Sequence, residues 1–227
     1  MKMILRDFVS LIFPDLCLGC NIDLNSGEQY FCLECLLNFP KTNFHSEAEN
    51  VLINRFAGKV NIAKAYAFLH FRKGSIVQHI LYNIKYKGKK EAAALLGKYY
   101  GNDLSKAEMP IDLIIPVPLH KTRERRRGFN QSEWFALGLA KSLEIPLCKE
   151  VLKRVKAKES QTKKNRMQRW ENIKDVYQID NKKLIEGKRI LLVDDVITTG
   201  ATCEVCAQLL LNNGASKVEI AAIACAI

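Results

Sequence analysis

The chain has 227 residues, 48% of them hydrophobic and 26% charged, the balance of a protein that folds around its own core rather than staying disordered. Thirty-five Lys and Arg against 24 Asp and Glu leave a net charge of +11, which points toward anionic ligands. No apolar run reaches the ~18 residues of a membrane span, so membrane-inserted, collagen-like and low-complexity chains are excluded.

Residues Met1–Phe13 carry apolar side chains at Ile4, Leu5, Phe8, Val9, Leu11 and Ile12, interrupted by Arg6, Asp7 and Ser10. That spacing predicts a short amphipathic helix, not the unbroken apolar segment of a secretory leader, and a cytoplasmic location is expected. Four of the eight cysteines follow as Cys17-x2-Cys20, then eleven residues, then Cys32-x2-Cys35. Two such knuckles can present four thiolates to one tetrahedral Zn²⁺; two redox pairs or four unrelated buried thiols are the alternatives. With four sulfur ligands no position stays open for a catalytic water, so the expected role of the metal is structural. Asn25-Ser26-Gly27 supplies a turn that could fold the knuckles together. Cys148, Cys203, Cys206 and Cys225 read as small core residues, with redox chemistry at Cys203/Cys206 the other option for that pair.

From Pro40 to Ala57 the chain is polar and irregular, suggesting a connection between a module over residues 1–57 and an α/β unit over 58–227. Alternation over Ala65–Phe71 predicts a strand. Ser75 can cap a helix whose apolar face is Ile76, Val77, Ile80, Leu81 and Ile84; a second, Ala/Leu-rich helix covers Glu91–Tyr100. Leu113–Val117 is a continuous apolar run, as in a strand buried on both faces. A helix over Gln131–Leu143, a strand near Val151–Val155 and a long polar stretch follow. The chain then gives a buried strand over Lys188–Val193, a helix over Ala201–Asn213 ended by Gly214, and a strand over Val218–Ile223. This alternation predicts an α/β fold, a mostly parallel sheet flanked by helices, with a small N-terminal zinc-ribbon-like module.

The charge is uneven. Lys121–Trp170 holds 15 Lys and Arg against 5 Asp and Glu, so these fifty residues carry most of the surplus. Its densest part, Lys121–Arg127, follows a predicted strand, at the sheet edge where open α/β folds bind ligands. A polyphosphate and a nucleic-acid backbone both fit such a patch. Aromatics that would stack bases are few there: Phe129, Trp134, Phe135 and Trp170, with Trp134 and Phe135 expected in a helix core.

The most informative stretch is Ile190–Thr202, ILLVDDVITTGAT. A buried strand ends in two adjacent carboxylates, and a Thr/Gly loop opens the next helix. Backbone N–H groups of Thr198–Thr202, three hydroxyls and the helix dipole together form a phosphate cradle. Carboxylates beside that cradle would repel a phosphate unless they bind something else, and sugar hydroxyls, with help from a metal, are suitable. The residues alone therefore suggest a sugar phosphate.

This stretch resembles the 5-phosphoribosyl-1-pyrophosphate (PRPP) signature of type I phosphoribosyltransferases. The resemblance implies that Asp194 and Asp195 contact the ribose hydroxyls and that Thr198, Thr199, Gly200, Ala201 and Thr202 bind the 5-phosphate. It also implies that Pro118, Leu119 and His120, together with Arg126 and Arg127, meet the pyrophosphate. Arg154–Arg169 is then similar to the family's flexible loop, so that Arg154 and Lys156 join Asp194 and Asp195 as catalytic candidates, with Mg²⁺ accompanying PRPP. Cys17, Cys20, Cys32 and Cys35, Lys85–Gly88, Pro116–His120, Arg126–Gln131, Gln161-Thr162, Arg166 and Asn172 resemble the ComF (ComFC) competence branch of that family. That closer resemblance implies a phosphoribosyltransferase-like protein with an unidentified acceptor, linked to DNA uptake, with single-stranded DNA and uptake proteins as further partners. The alternative is a PRPP- or nucleotide-responsive module without catalysis. Twenty-five residues follow Thr202, so any lid over the site is expected from the first hundred residues.

Overall fold

The computed structural model describes residues 14–47, 49–107, 110–155 and 176–226. The leading segment Met1–Phe13 and the stretch holding Lys156, Gln161, Thr162, Arg166 and Asn172 lie outside them. In chain order the elements are helix α1 (Leu33–Leu37), strand β1 (Lys64–Phe71), helices α2 (Ile76–Tyr86) and α3 (Lys90–Leu104), and strand β2 (Leu113–Pro116). Helices α4 (Lys121–Arg127) and α5 (Gln131–Leu143), strands β3 (Leu152–Arg154), β4 (Tyr177–Ile179) and β5 (Arg189–Ile197), helix α6 (Ala201–Asn212) and strand β6 (Lys217–Ala226) complete the order.

Four strands form one parallel sheet in the order β1-β6-β5-β2. Side-chain alternation distributes β5 and β6 between two apolar clusters: Leu191, Val193, Ala221 and Ile223 enter one, Ile190, Leu192, Ile220 and Ala222 the other. Both faces are therefore covered, and the strands read as near-continuous apolar runs. Helices α2, α3 and α5 and the cysteine module cover the first face; α6 and the β3–β4 ribbon cover the second. The strand expected near Val151–Val155 does form, but it pairs antiparallel with β4 outside the main sheet. Strand β4 and helix α4 are short elements that periodicity does not reveal.

Helices α3 and α5 cross with their backbones nearly touching. A Cβ at Gly97 would run into the Phe135 carbonyl, and one at Gly138 into that of Ala94. Glycine is required at this crossing by lack of space, not by backbone conformation.

The segment from Pro40 to Ala57 is not a solvated connection. Phe44, Leu52 and Phe56 are buried in the second cluster, the Thr42 hydroxyl donates to the Ala67 carbonyl, and Asn50 Nδ2 donates to the Ala65 carbonyl at 3.1 Å. Its apolar residues are too widely spaced to show a period, which is why the sequence reads as irregular.

Candidate functional site

Strand β5 runs on through the acidic pair to Ile197. Consecutive strand residues project to opposite faces, so the two carboxylates find different neighbours. Asp195 meets Lys85 of α2, with Nζ 2.7 Å from Oδ2, in a pair that is largely buried. Asp194 lies against the start of α6, where the Cys203 thiol donates to Oδ2 at 3.6 Å. Its Oδ1 accepts from the Ser132 hydroxyl at 3.1 Å and from the Asp195 backbone N–H at 2.8 Å. Burial, and secondly the neighbouring charge of Asp195, push the Asp194 carboxyl up to about 6.

Beyond the end of β5, residues 198–200 turn into α6. Gly200 has a φ of +80°, in the left-handed region where glycine carries no steric cost, and the Phe56 ring sits 3.0 Å from where a Cβ would stand. Thr198, Thr199 and Thr202 are exposed. Together with Asp194 and the α6 N-terminus, the loop lines a small cavity of about 40 Å³. The N-cap of helix α6 is Gly200, which supplies no side-chain cap; the Ala201 N–H donates weakly to Thr199 Oγ1 at 3.4 Å, and the N–H groups that follow in the first turn are left for a ligand. Arg55 underpins the loop from behind: its guanidinium donates to the Thr198 carbonyl and to the Ala226 carbonyl at the end of β6.

Strand β2 neighbours β5, so Pro118, Leu119 and His120 leave the sheet at the same carboxyl edge as the acidic pair. His120 caps α4, its Nδ1 accepting from the Thr122 N–H at 3.2 Å. Lys121, Arg123, Arg125 and Arg126 are exposed along this helix. Asn130 Nδ2 donates to the Val117 carbonyl at 3.0 Å, and Asn130 Oδ1 caps α5. That cap sets Ser132 at Asp194. Arg127 donates to Gln131 Oε1 at 2.9 Å. Arg154, on β3, stacks its guanidinium 5.5 Å from the centre of the Tyr177 ring, and Lys156 falls outside the described residues.

The structure thus brings Asp194, Asp195, the 198–202 loop and Pro118–His120 to one sheet edge. Arg55, Phe56 and Ser132 join them and were not legible as site residues. Lys85 lies in the Lys85–Gly88 segment, and nothing in its spacing pairs it with Asp195. The thiols of Cys203 and Cys206 are buried, and burial, followed by Asp194, pushes both upward, away from the thiolate that redox chemistry needs. Both behave as core residues.

At the N-terminus the Sγ atoms of Cys17, Cys20, Cys32 and Cys35 lie within 4.8 Å of one another. Cys17–Cys35 and Cys20–Cys32 separations of 3.6 and 3.7 Å compare with the ~3.8 Å edge of a tetrahedron whose Zn–S bonds are about 2.3 Å. Backbone N–H groups of Gly19 and Cys32 donate to the Cys17 sulfur, and that of Cys35 to the Cys32 sulfur. Burial raises Cys17, but the backbone donors outweigh it and bring the thiol down to about 7, whereas Cys32 and Cys35 are pushed up chiefly by burial. Four such sulfurs are tolerated together as thiolates only around a cation, and the donor set fits Zn²⁺. The module docks on α2, where Asn83 Nδ2 donates to the Leu18 carbonyl at 3.0 Å and His79 Nδ1 lies 3.1 Å from the Gly19 carbonyl oxygen.

The family described as "Phosphoribosyl transferase domain" matches residues 130–226, which hold β5, the acidic pair, the loop and α6. The chain is 31% identical over 147 residues to "DNA utilization protein YhgH" of Escherichia coli O157:H7, covering 62% of this chain and 63% of that one. It is 36% identical over 110 residues to "Competence protein F" of Haemophilus influenzae, 48% of each chain. Against "Competence protein ComFC" of Bacillus subtilis the identity is 31% over 140 residues, 61% of this chain and 55% of the other. The match spans less than two thirds of the length of each of these relatives.

Proposed function

Because this chain belongs to the ComF family and is built on the phosphoribosyltransferase fold, we propose that it binds PRPP at the carboxyl edge of its sheet and transfers phosphoribose to an acceptor. The observation that carries this reading is the pair Asp194–Asp195, close to the end of a buried strand that leads through the Thr198–Gly200 turn into a helix N-terminus whose N-cap is a glycine. The 5-phosphate takes the backbone donors and hydroxyls of Thr198–Thr202. Asp194 and Asp195 take the ribose hydroxyls, with Lys85 and Ser132 holding the two carboxylates in place. The pyrophosphate lies toward Pro118–His120 and the arginines of α4, with Arg126 and Arg127 proposed as its cations.

Displacement at the anomeric carbon builds positive charge on the ribose and negative charge on the departing pyrophosphate. The carboxylates favour the first and the basic helix the second. Mg²⁺ accompanying PRPP would neutralise the leaving group; hard oxygen donors such as the acidic pair and the loop hydroxyls suit it. Arg154 and Lys156 are proposed to act from the stretch that follows β3. Zn²⁺ is assigned a structural role. The protein is proposed to work in the cytoplasm; none of the described helices is long and apolar enough to cross a membrane.

Calorimetric titration with PRPP in the presence and absence of Mg²⁺ tests the site. Mg²⁺-dependent binding that disappears in Asp194→Asn and in Asp195→Asn supports the reading, and unchanged affinity in those variants refutes it. Pyrophosphate release on adding candidate acceptors then separates turnover from binding. A second reading, a PRPP-responsive module that binds single-stranded DNA and uptake proteins, draws on the exposed arginines of α4 and on the names of the relatives.

A further inference from the structure

The ion pair between Lys85 and Asp195 is the least exposed of the four among the described residues, with side chains 22% and 19% exposed. It joins elements far apart in the chain, the last turn of α2 and the carboxyl half of β5. A largely buried ion pair adds little stability by itself, because desolvation of both charges offsets their attraction. A lysine in the last turn of a helix is already favoured by the helix dipole and needs no carboxylate there. What the pair does supply is a fixed cation inside a site that otherwise offers two adjacent carboxylates to a phosphate-bearing ligand.

The contacts of the two carboxylates show what they still have to give. Asp194 Oδ1 accepts from the Ser132 hydroxyl and from the Asp195 N–H, which fills its two lone pairs, and Oδ2 accepts from the Cys203 thiol. Asp195 Oδ1 accepts from the Val196 N–H at 2.7 Å, and Oδ2 accepts from Lys85. Every oxygen of the pair thus has a donor already. Each carboxylate keeps a lone pair, enough for a hydroxyl, but neither offers the bare oxygen that suits a small divalent ion. Such an ion would also stand beside the like charge of Lys85. The ammonium carries three N–H donors, and Asp195 is its one partner among the described residues, which leaves two for a ligand. With 22% of its side chain exposed, Lys85 is not sealed in the core.

From these contacts we infer that Lys85 is the built-in cation of the sugar-phosphate site: it neutralises Asp195 and donates to the sugar, so that ribose 5-phosphate binds without a divalent ion. The carboxylates accept from the vicinal hydroxyls and the ammonium donates to a hydroxyl oxygen. The phosphate then lies on the Thr198–Thr202 loop without facing two uncompensated charges. Mg²⁺ is required by the pyrophosphate of PRPP and not by its sugar, although an ion carried in on the pyrophosphate still finds lone pairs at the acidic pair. A product of phosphoribosyl transfer keeps the ribose 5-phosphate and has lost the pyrophosphate, so the site holds it after the metal has left. The inference rests on the sugar-phosphate reading for its ligand.

The test is calorimetric titration of the full chain with ribose 5-phosphate, in buffer freed of divalent ions beforehand and again with Mg²⁺. The wild type binds equally well in both. Lys85→Met loses about tenfold or more in affinity without Mg²⁺, as expected when a charge-assisted contact is lost. It recovers part of the loss in Mg²⁺, because an unpaired Asp195 then attracts the ion. Lys85→Arg, which keeps the charge, restores both the affinity and the indifference to Mg²⁺. A lysine with a structural role alone would lower the melting temperature without making binding metal-dependent. Wild-type binding of ribose 5-phosphate that needs Mg²⁺ overturns the inference, and so does a folded Lys85→Met that binds as the wild type does. If Lys85→Met melts early, the wild-type comparison and Lys85→Arg still decide. Mg²⁺-dependent binding of both ribose 5-phosphate and PRPP removes the role of Lys85 and leaves the sugar-phosphate site standing; binding of neither refutes that site and the inference with it.

Discussion

Replacing Asp194 by Asn should stabilise the protein at neutral pH while removing its ligand. In the folded chain the carboxyl titrates at about 6 against an ordinary value of 3.8, because burial and then Asp195 oppose its ionisation. The folded state thus holds the proton more tightly than the unfolded one. Stability is unaffected below about pH 4, falls as pH rises toward 6, and carries the whole cost above that. The shift corresponds to about 3 kcal/mol; side chain and loop are only half-buried, and screening reduces this to about 1–2 kcal/mol. Asn keeps an oxygen for Ser132 and for the Asp195 N–H, so the geometry survives while the charge disappears. For a chain of this size the gain corresponds to about 3–6 °C in melting temperature. Calorimetric melts of wild type and variant at pH 4 and pH 7.5 isolate it: the variant leads at pH 7.5 and the lead closes at pH 4. A variant no more stable than the wild type at pH 7.5, or a lead of equal size at both, would show that the carboxylate is not held against its solvation. Strain of this kind is expected where a site is kept for binding rather than stability.

Three further outcomes follow from the packing. Arg55→Ala should cost about 1–2 kcal/mol in urea unfolding and raise hydrogen exchange at the Thr198–Ala201 amides, because two carbonyls lose a charged donor. Unchanged exchange there would remove Arg55 from the support of the loop. Gly138→Ala should cost about 2–3 kcal/mol or more by forcing α3 and α5 apart, and a melt within 2 °C of wild type would contradict the crossing. One Zn²⁺ per chain is expected by metal analysis. Its chelation should lower a single unfolding transition rather than create an early one, since Cys17, Phe31 and Phe39 share one apolar cluster with Phe68 and Tyr100 of the sheet side.

Part of the site lies within one stretch of chain, and that part is legible from sequence. The strand, the two carboxylates, the glycine turn and the helix start follow one another in Ile190–Thr202, so local geometry places them together. The cysteine knuckles are equally local, because x2 spacing brings two sulfurs to one side of a turn. The strand–helix alternation also announces the parallel sheet, since a run of apolar residues such as Leu113–Val117 is stable only with both faces covered.

What the sequence leaves open are contacts between residues far apart in the chain. The basic stretch looks poor in aromatics when read along the chain, yet the tertiary fold supplies them from α2, setting Tyr86 against Arg127. Asp194 and Asp195 are adjacent and chemically identical, and only the strand's alternation gives one of them Lys85 and the other a half-buried place beside Ser132 and Cys203. Arg55 and Phe56 sit in a segment without periodicity and become supports of the phosphate loop only because β6 and α6 fold against them. Sequence determined the chemistry that one strand and its loop can offer; the crossing of separate elements decided which charges are paired, which stay strained, and what stands ready beside them. The reason is physical: backbone periodicity acts over a few residues, whereas desolvation and charge pairing depend on whatever the chain brings near.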